Sequence, residues 1–147
     1  MPLNDNEVDT LRESFHTIAA DAEMFAAAFY AHLFEIAPET KELFRGDMTK
    51  QGQKLTSTLG VVVARIHHFD ALRPMVADLA RRHRTYGVET SHYAAVGDAL
   101  KFALQRNLGA DNEALAVWER TYQLLSDAMI EAAYGDPHPA SARTRAA

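Results

Sequence analysis

Apolar residues recur along this chain at intervals of three and four. No stretch alternates apolar and polar residues as a half-buried strand does. The spacing predicts an all-α protein. Asn4 with Glu7 three residues later reads as a capping box, opening a first helix that runs to about Ala19. A second helix, from about Asp21 to Ile36, carries Phe25, Phe29, Leu33 and Phe34 at helical spacing. Pro38 starts a short helical turn leading to Leu43 and Phe44, and Gly46 breaks it. The next helix spans about Thr49 to His67, with Leu55, Leu59, Val62 and Ile66 as its buried stripe. Pro74 sits in a turn-plus-helix that continues to about Arg84, with Leu72, Val76, Leu79 and His83 on one face; Gly87 ends it. Two further helices, about Ser91 to Asn107 and Asn112 to Tyr134, are separated by Gly109. From Gly135 the composition turns to Gly, Pro, Ser, Ala and Arg. One domain over 1–134 and a disordered tail over 135–147 are expected.

With 147 residues, 48% of them hydrophobic, the chain can build one core large enough to surround an apolar group. Its 15 basic and 20 acidic residues give a net charge of −5, which supplies no drive toward nucleic acid. Arg81, Arg82 and Arg84 form a local basic cluster, the kind that usually marks a solvated helix end. There are no cysteines, so disulfides, thiolate metal sites and cysteine nucleophiles are excluded. The first residues lack the basic and apolar regions of a signal peptide, and no apolar run is long enough to span a bilayer. A cytoplasmic monomer or homodimer, without membrane or nucleic-acid partners, is the expectation.

Three polar side chains stand on or beside apolar faces. His83, one turn beyond Leu79, offers the interior an imidazole nitrogen or is simply half-buried. Gln51, one turn before Leu55, is exposed at a helix start or points into something polar, since an inward amide needs a partner. Tyr30 packs beside Phe29, and its hydroxyl can serve the backbone or a ligand. Together with Phe44 they are the residue types that a flat apolar macrocycle with a Lewis-acidic iron requires. Such a group needs one strong axial nitrogen, an aromatic wedge, and donors toward a dioxygen that carries partial negative charge.

Several stretches carry a family resemblance. They are Phe29-Tyr30-Ala31-His32-Leu33-Phe34, Pro38 through Leu43-Phe44, Arg82-His83-Arg84-Thr85-Tyr86-Gly87-Val88, His92-Tyr93-Ala94-Ala95-Val96-Gly97 and Trp118-Glu119-Arg120-Thr121-Tyr122. In this order, with His83 ten residues before Tyr93, the chain resembles single-domain bacterial haemoglobins and the haem domain of flavohaemoglobins. It is more distantly similar to neuroglobin. The resemblance runs from about Val8 to Met129. It implies a globin fold of about seven to eight helices with a short or absent fourth helix, surrounding haem b. It implies His83 as the proximal iron ligand, Phe44 as the ring wedge, Tyr30 and Gln51 as distal donors and Leu55 as the apolar distal residue. Val88 and Tyr93 fall on the proximal side. Lys54 falls where a basic residue often meets a haem propionate, or else simply faces solvent.

The resemblance also implies reversible binding of dioxygen, carbon monoxide and nitric oxide. The alternatives are nitric oxide dioxygenase chemistry with an external reductase, weak peroxidase activity, or haem-based gas sensing. Flavohaemoglobins resemble one another in a proximal network of histidine, tyrosine and glutamate that makes the histidine more basic. Here those positions fall on His83, Tyr93 and Ala133, with Glu131 two residues away. The segment between Phe44 and Gln51 is shorter than in those proteins. No flavin or nicotinamide module follows in this sequence, so sustained turnover is expected to need an outside electron donor. His67 and His68 lie four turns beyond Gln51, too far along that helix to be easy iron ligands.

Overall fold

The computed structural model describes residues 3–135. Apart from Gly135, the tail expected to be disordered lies outside them. Among the described residues there are six α-helices: α1 (Asp5–Ala20), α2 (Ala22–Ile36), α3 (Met48–Arg65), α4 (Phe69–Thr85), α5 (Thr90–Leu108) and α6 (Asn112–Tyr134). Two 3-10 helices, Pro38–Leu43 and Ile66–His68, join α2 to α3 and α3 to α4. No fourth helix intervenes between Phe44 and Met48, and the expected helical count is reached through these 3-10 segments.

Local chemistry sets the boundaries. The Asn4 side chain accepts from the Glu7 N–H at 2.8 Å, and the Glu7 carboxylate accepts from the Asn4 N–H at 2.9 Å. The capping box is therefore complete. The helix expected to reach His67 stops at Arg65, where the chain tightens into the Ile66–His68 turn. Pro74 lies inside α4 and forfeits the bond to the Asp70 carbonyl, but it does so near the exposed start of the helix, where water can take that oxygen.

The core sits between α1, α2, α5 and α6. Trp118 is 1% exposed, and its Nε1–H donates to Ser14 Oγ at 2.7 Å. That bond ties α6 to α1 while leaving no indole donor unpaired. Phe25, Phe29 and Leu33 of α2 are buried against this core, and α2 packs most extensively on α5. α4 instead packs on α6 and touches α3. Although consecutive, α4 and α5 make no extensive packing with each other. Their facing side chains are correspondingly only half-buried: Leu79, His83, Val88 and Val96. No helix among the described residues is long and apolar enough to cross a membrane.

Candidate haem pocket

On one side of the gap three rings hold one another. Tyr30 meets Phe44 edge-on at 5.2 Å between centroids and Phe34 at 6.0 Å, and Phe34 meets Phe44 at 5.5 Å. These separations lie within the range in which aromatic pairs attract beyond their burial. Phe44 reaches this cluster because the 3-10 turn begun by Pro38 ends one residue before it.

α3 can approach α2 only because position 52 is glycine. A Cβ on Gly52 would lie 2.8 Å from the Ala26 Cβ. This close crossing brings the neighbouring Gln51 to Tyr30, whose hydroxyl donates to the Gln51 carbonyl at 3.4 Å. That length is beyond the usual O–H···O range, so the bond is weak and the proton is available to a better acceptor. Burial pushes the Tyr30 pKa up to about 12, against a partial offset from Gln51, and the phenol stays protonated. Leu55 is half-buried one turn further on, and Lys54 is exposed.

On the other side His83 is half-buried, and its Nδ1 lies 2.8 Å from the Leu79 carbonyl. A carbonyl only accepts, so Nδ1 carries the hydrogen and Nε2 keeps its lone pair. Burial lowers the His83 pKa from its ordinary 6.5, and the nearby Arg82 charge lowers it further, against the bond to Leu79. The ring is thus a neutral, oriented nitrogen donor at neutral pH.

The surrounding backbone is anchored to α6. The Tyr122 hydroxyl donates to the Tyr93 carbonyl at 2.6 Å, passing over Gly97, where a Cβ would lie 2.9 Å from the tyrosine ring. The Tyr134 hydroxyl donates to the Val88 carbonyl, and Arg84 donates to the Ala133 carbonyl. Gly87, at φ +98, makes the left-handed turn that ends α4, and it packs near Leu43 of the first 3-10 turn. Leu43 and Gly87 therefore join the two sides.

Tyr93 itself is 6% exposed, and its hydroxyl is the buried side-chain polar atom without a partner among the described residues. The network of histidine, tyrosine and carboxylate that the resemblance implies is not assembled. His83 Nδ1 is committed to Leu79, position 133 is a buried alanine, and Glu131 is exposed on a groove shared with Arg73. His67 and His68 are exposed, with His67 Nδ1 2.9 Å from Arg12.

These residues fit a haem. Among the described residues no group of three or more His, Asp and Glu could hold a bare ion. A haem carries its own ring nitrogens and asks the protein for one more, the kind of donor that the neutral His83 ring presents. Phe44, Leu55, Leu79, Val88 and Val96 offer partly buried apolar side chains to a flat ring. Sequence reasoning missed the Leu79 carbonyl, Gly52 and Tyr134. The first is a backbone atom with no residue signature. The other two matter only through contacts between distant parts of the chain.

Comparison with known proteins agrees with this geometry. A family model described as Globin matches residues 27–129. A flavohemoprotein of Chromobacterium violaceum is 31% identical over 116 residues, covering 74% of this chain and 29% of that protein. One of Bacillus subtilis is 26% identical over 133 residues, covering 87% of this chain and 33% of that protein. The chain thus spans about a third of the length of the flavohemoproteins it matches. Among solved structures, a bacterial globin from Campylobacter jejuni superposes with a TM-score of 0.77 at 24% identity, covering 88% of this chain and 95% of that one. An engineered carbene transferase built on a proposed nitric oxide dioxygenase from Rhodothermus marinus superposes with a TM-score of 0.73 at 28% identity, covering 84% and 88%. The first of these structures speaks for the fold alone.

Proposed function

The chain belongs to the globin family, and on that premise we propose that it binds haem b through His83 and holds dioxygen, carbon monoxide and nitric oxide reversibly on the opposite face. The observation that carries the proposal is the 2.8 Å contact between His83 Nδ1 and the Leu79 carbonyl, which leaves Nε2 free in a half-buried apolar setting. Haem, when bound, supplies the Lewis-acidic iron at which diatomic gases bind and dioxygen can react with nitric oxide to give nitrate.

The protein's part is orientation, donation and exclusion of water. The Leu79 carbonyl fixes the imidazole plane and tautomer. The Tyr30 hydroxyl gives up its long bond to the Gln51 carbonyl and donates to the gas, and the Gln51 amide donates beside it. Both bonds to a partly charged acceptor are stronger than neutral ones. Phe44 wedges the ring, and Leu55 keeps water from the distal face. Val88 and Tyr93 close the proximal side, and Lys54, being exposed, is free to pair with a propionate. Absorption spectra of the purified protein, oxidised, reduced and reduced under carbon monoxide, test this. A reduced form that binds carbon monoxide and reversibly binds dioxygen is expected; a spectrum without a haem band would refute it.

A second reading, nitric oxide dioxygenase chemistry with an external reductase, is favoured by the likeness to flavohemoproteins and to the Rhodothermus protein. Its test is consumption of nitric oxide over many turnovers when a reductase and dioxygen are both supplied. Peroxidase-type activation has no support in the proximal geometry, since no carboxylate stands at position 133 to make His83 more basic.

A further inference from the structure

The last turn of α4 presents a surface that neither haem binding nor the core explains. Arg81, Arg82 and Arg84 flank His83, and all three are exposed. Asp78 pairs with two of them, at 2.8 Å from Arg82 and 3.8 Å from Arg81. Arg84 lies over the Tyr134 ring, 4.8 Å from its centroid. Basic residues at a helix C-terminus are accounted for by the helix dipole, but Tyr86 is not. It is 68% exposed, the most exposed of the large hydrophobic residues described, and its backbone is pinned by N–H donation to the Arg82 carbonyl at 3.0 Å. Tyr134, under Arg84, is 38% exposed. Arginine and tyrosine together are the residues enriched where protein interfaces concentrate their energy.

We infer that this face, formed by Arg81, Arg82, Arg84, Tyr86 and Tyr134, docks an acidic electron-donor protein. The inference rests on the haem reading above. The patch is positive on a chain whose net charge is −5, so the molecule orients this end toward a negative partner. The face is formed by exposed side chains, unlike the cleft between α6 and the first half of α4, so it suits a macromolecule rather than a small anion. At about 1.5 Å per residue, Tyr86 stands about 5 Å along the helix axis from His83. A donor seated there delivers its electron beside the axial nitrogen, reducing ferric iron to ferrous while the donor is oxidised by one electron.

The test follows reduction of the oxidised haem-loaded protein by its visible spectrum, using reduced flavodoxin as the acidic protein probe. Reduced riboflavin serves as an uncharged donor and reduced flavin mononucleotide as a small anionic one. The Arg81→Glu variant is expected to be reduced by flavodoxin about threefold more slowly at low salt, with the difference vanishing at high salt. Tyr86→Ser is expected to slow the same reaction at all salt concentrations. Riboflavin is expected to reduce the parent and both variants alike. Three results overturn the inference: equal flavodoxin rates for parent and charge variant at low salt, an equal loss with riboflavin, or an equal loss with flavin mononucleotide. The second would place the effect on the iron and the third on small anions. A protein that takes up no haem in the first place refutes the haem reading and is recognised before any rate is measured.

Discussion

On the distal side of the pocket Tyr30, Phe34 and Phe44 hold one another by ring contacts, and the one polar bond, Tyr30 to the Gln51 carbonyl, is 3.4 Å long. On the proximal side the order comes from hydrogen bonds: His83 to Leu79 at 2.8 Å, Tyr122 to the Tyr93 carbonyl at 2.6 Å, Tyr134 to Val88 and Arg84 to Ala133. Under the proposed function the two sides divide the labour of a gas-binding site. Ring packing places a phenol without satisfying it, so its proton remains for a ligand. Directional bonds fix the imidazole and the backbone around it, so one nitrogen is left as a donor in one tautomer.

The sharpest way to break this contrast is to remove the distal proton. Tyr30→Phe keeps the ring contacts and is expected to raise the dioxygen dissociation rate by about 10- to 100-fold, the loss of one hydrogen bond to a charged acceptor. Stopped-flow release kinetics measure it, and an unchanged rate would leave the weak bond to Gln51 without consequence.

Alkaline titration of the haem-free chain comes next. Burial raises the pKa of Tyr30 and of Tyr93 to about 12. Each folded pKa exceeds the ordinary value of 10, so the stabilising contribution is complete below pH 10 and is lost as pH rises toward 12. A rise of that size corresponds to at most about 3 kcal/mol for each phenol. Denaturant unfolding at pH 9 and pH 11 is expected to show the fall, and Tyr30→Phe should reduce it. A flat profile would show that these phenols ionise as freely in the folded chain as in the unfolded one.

Smaller effects separate the two proximal tyrosines. Tyr122→Phe removes the second bond to the Tyr93 carbonyl, which keeps its partner within α5, and is expected to cost the haem-free chain about 1 kcal/mol. Tyr93→Phe removes a buried hydroxyl that has no partner and is expected to stabilise the same chain by about 1 kcal/mol. Thermal unfolding measures both, and shifts of equal sign would erase the distinction. The smallest expected effect is acidic. The His83 pKa lies below 6.5, so its contribution is present above that pH and declines as pH falls through it. An acid limb that His83→Gln does not alter would count against it.

The helices were legible in the sequence because periodicity and caps are local. Asn4 with Glu7, Gly87 and Gly109 mark ends that the backbone obeys, and α6 spans the residues its pattern predicts. The distal cluster was legible because Phe44 and Tyr30 carry their chemistry in their side chains. The proximal order was less so. A carbonyl looks the same at every residue, so nothing in the letters assigned Leu79 to His83. The departure at Ala133 was visible by counting, whereas the unpaired Tyr93 hydroxyl needed the packing of the folded chain to be seen. Gly52 reads as a mild helix defect until Ala26 is seen across from it.

The most direct test of the central claim is the spectrum of His83→Gly with and without added imidazole, in the oxidised and reduced states. The parent's histidine-ligated spectrum is expected to disappear in the variant and to return when imidazole fills the space. If the variant keeps the parent's spectrum in both states with no imidazole present, the axial nitrogen is not His83, and the proximal order described here serves some other end.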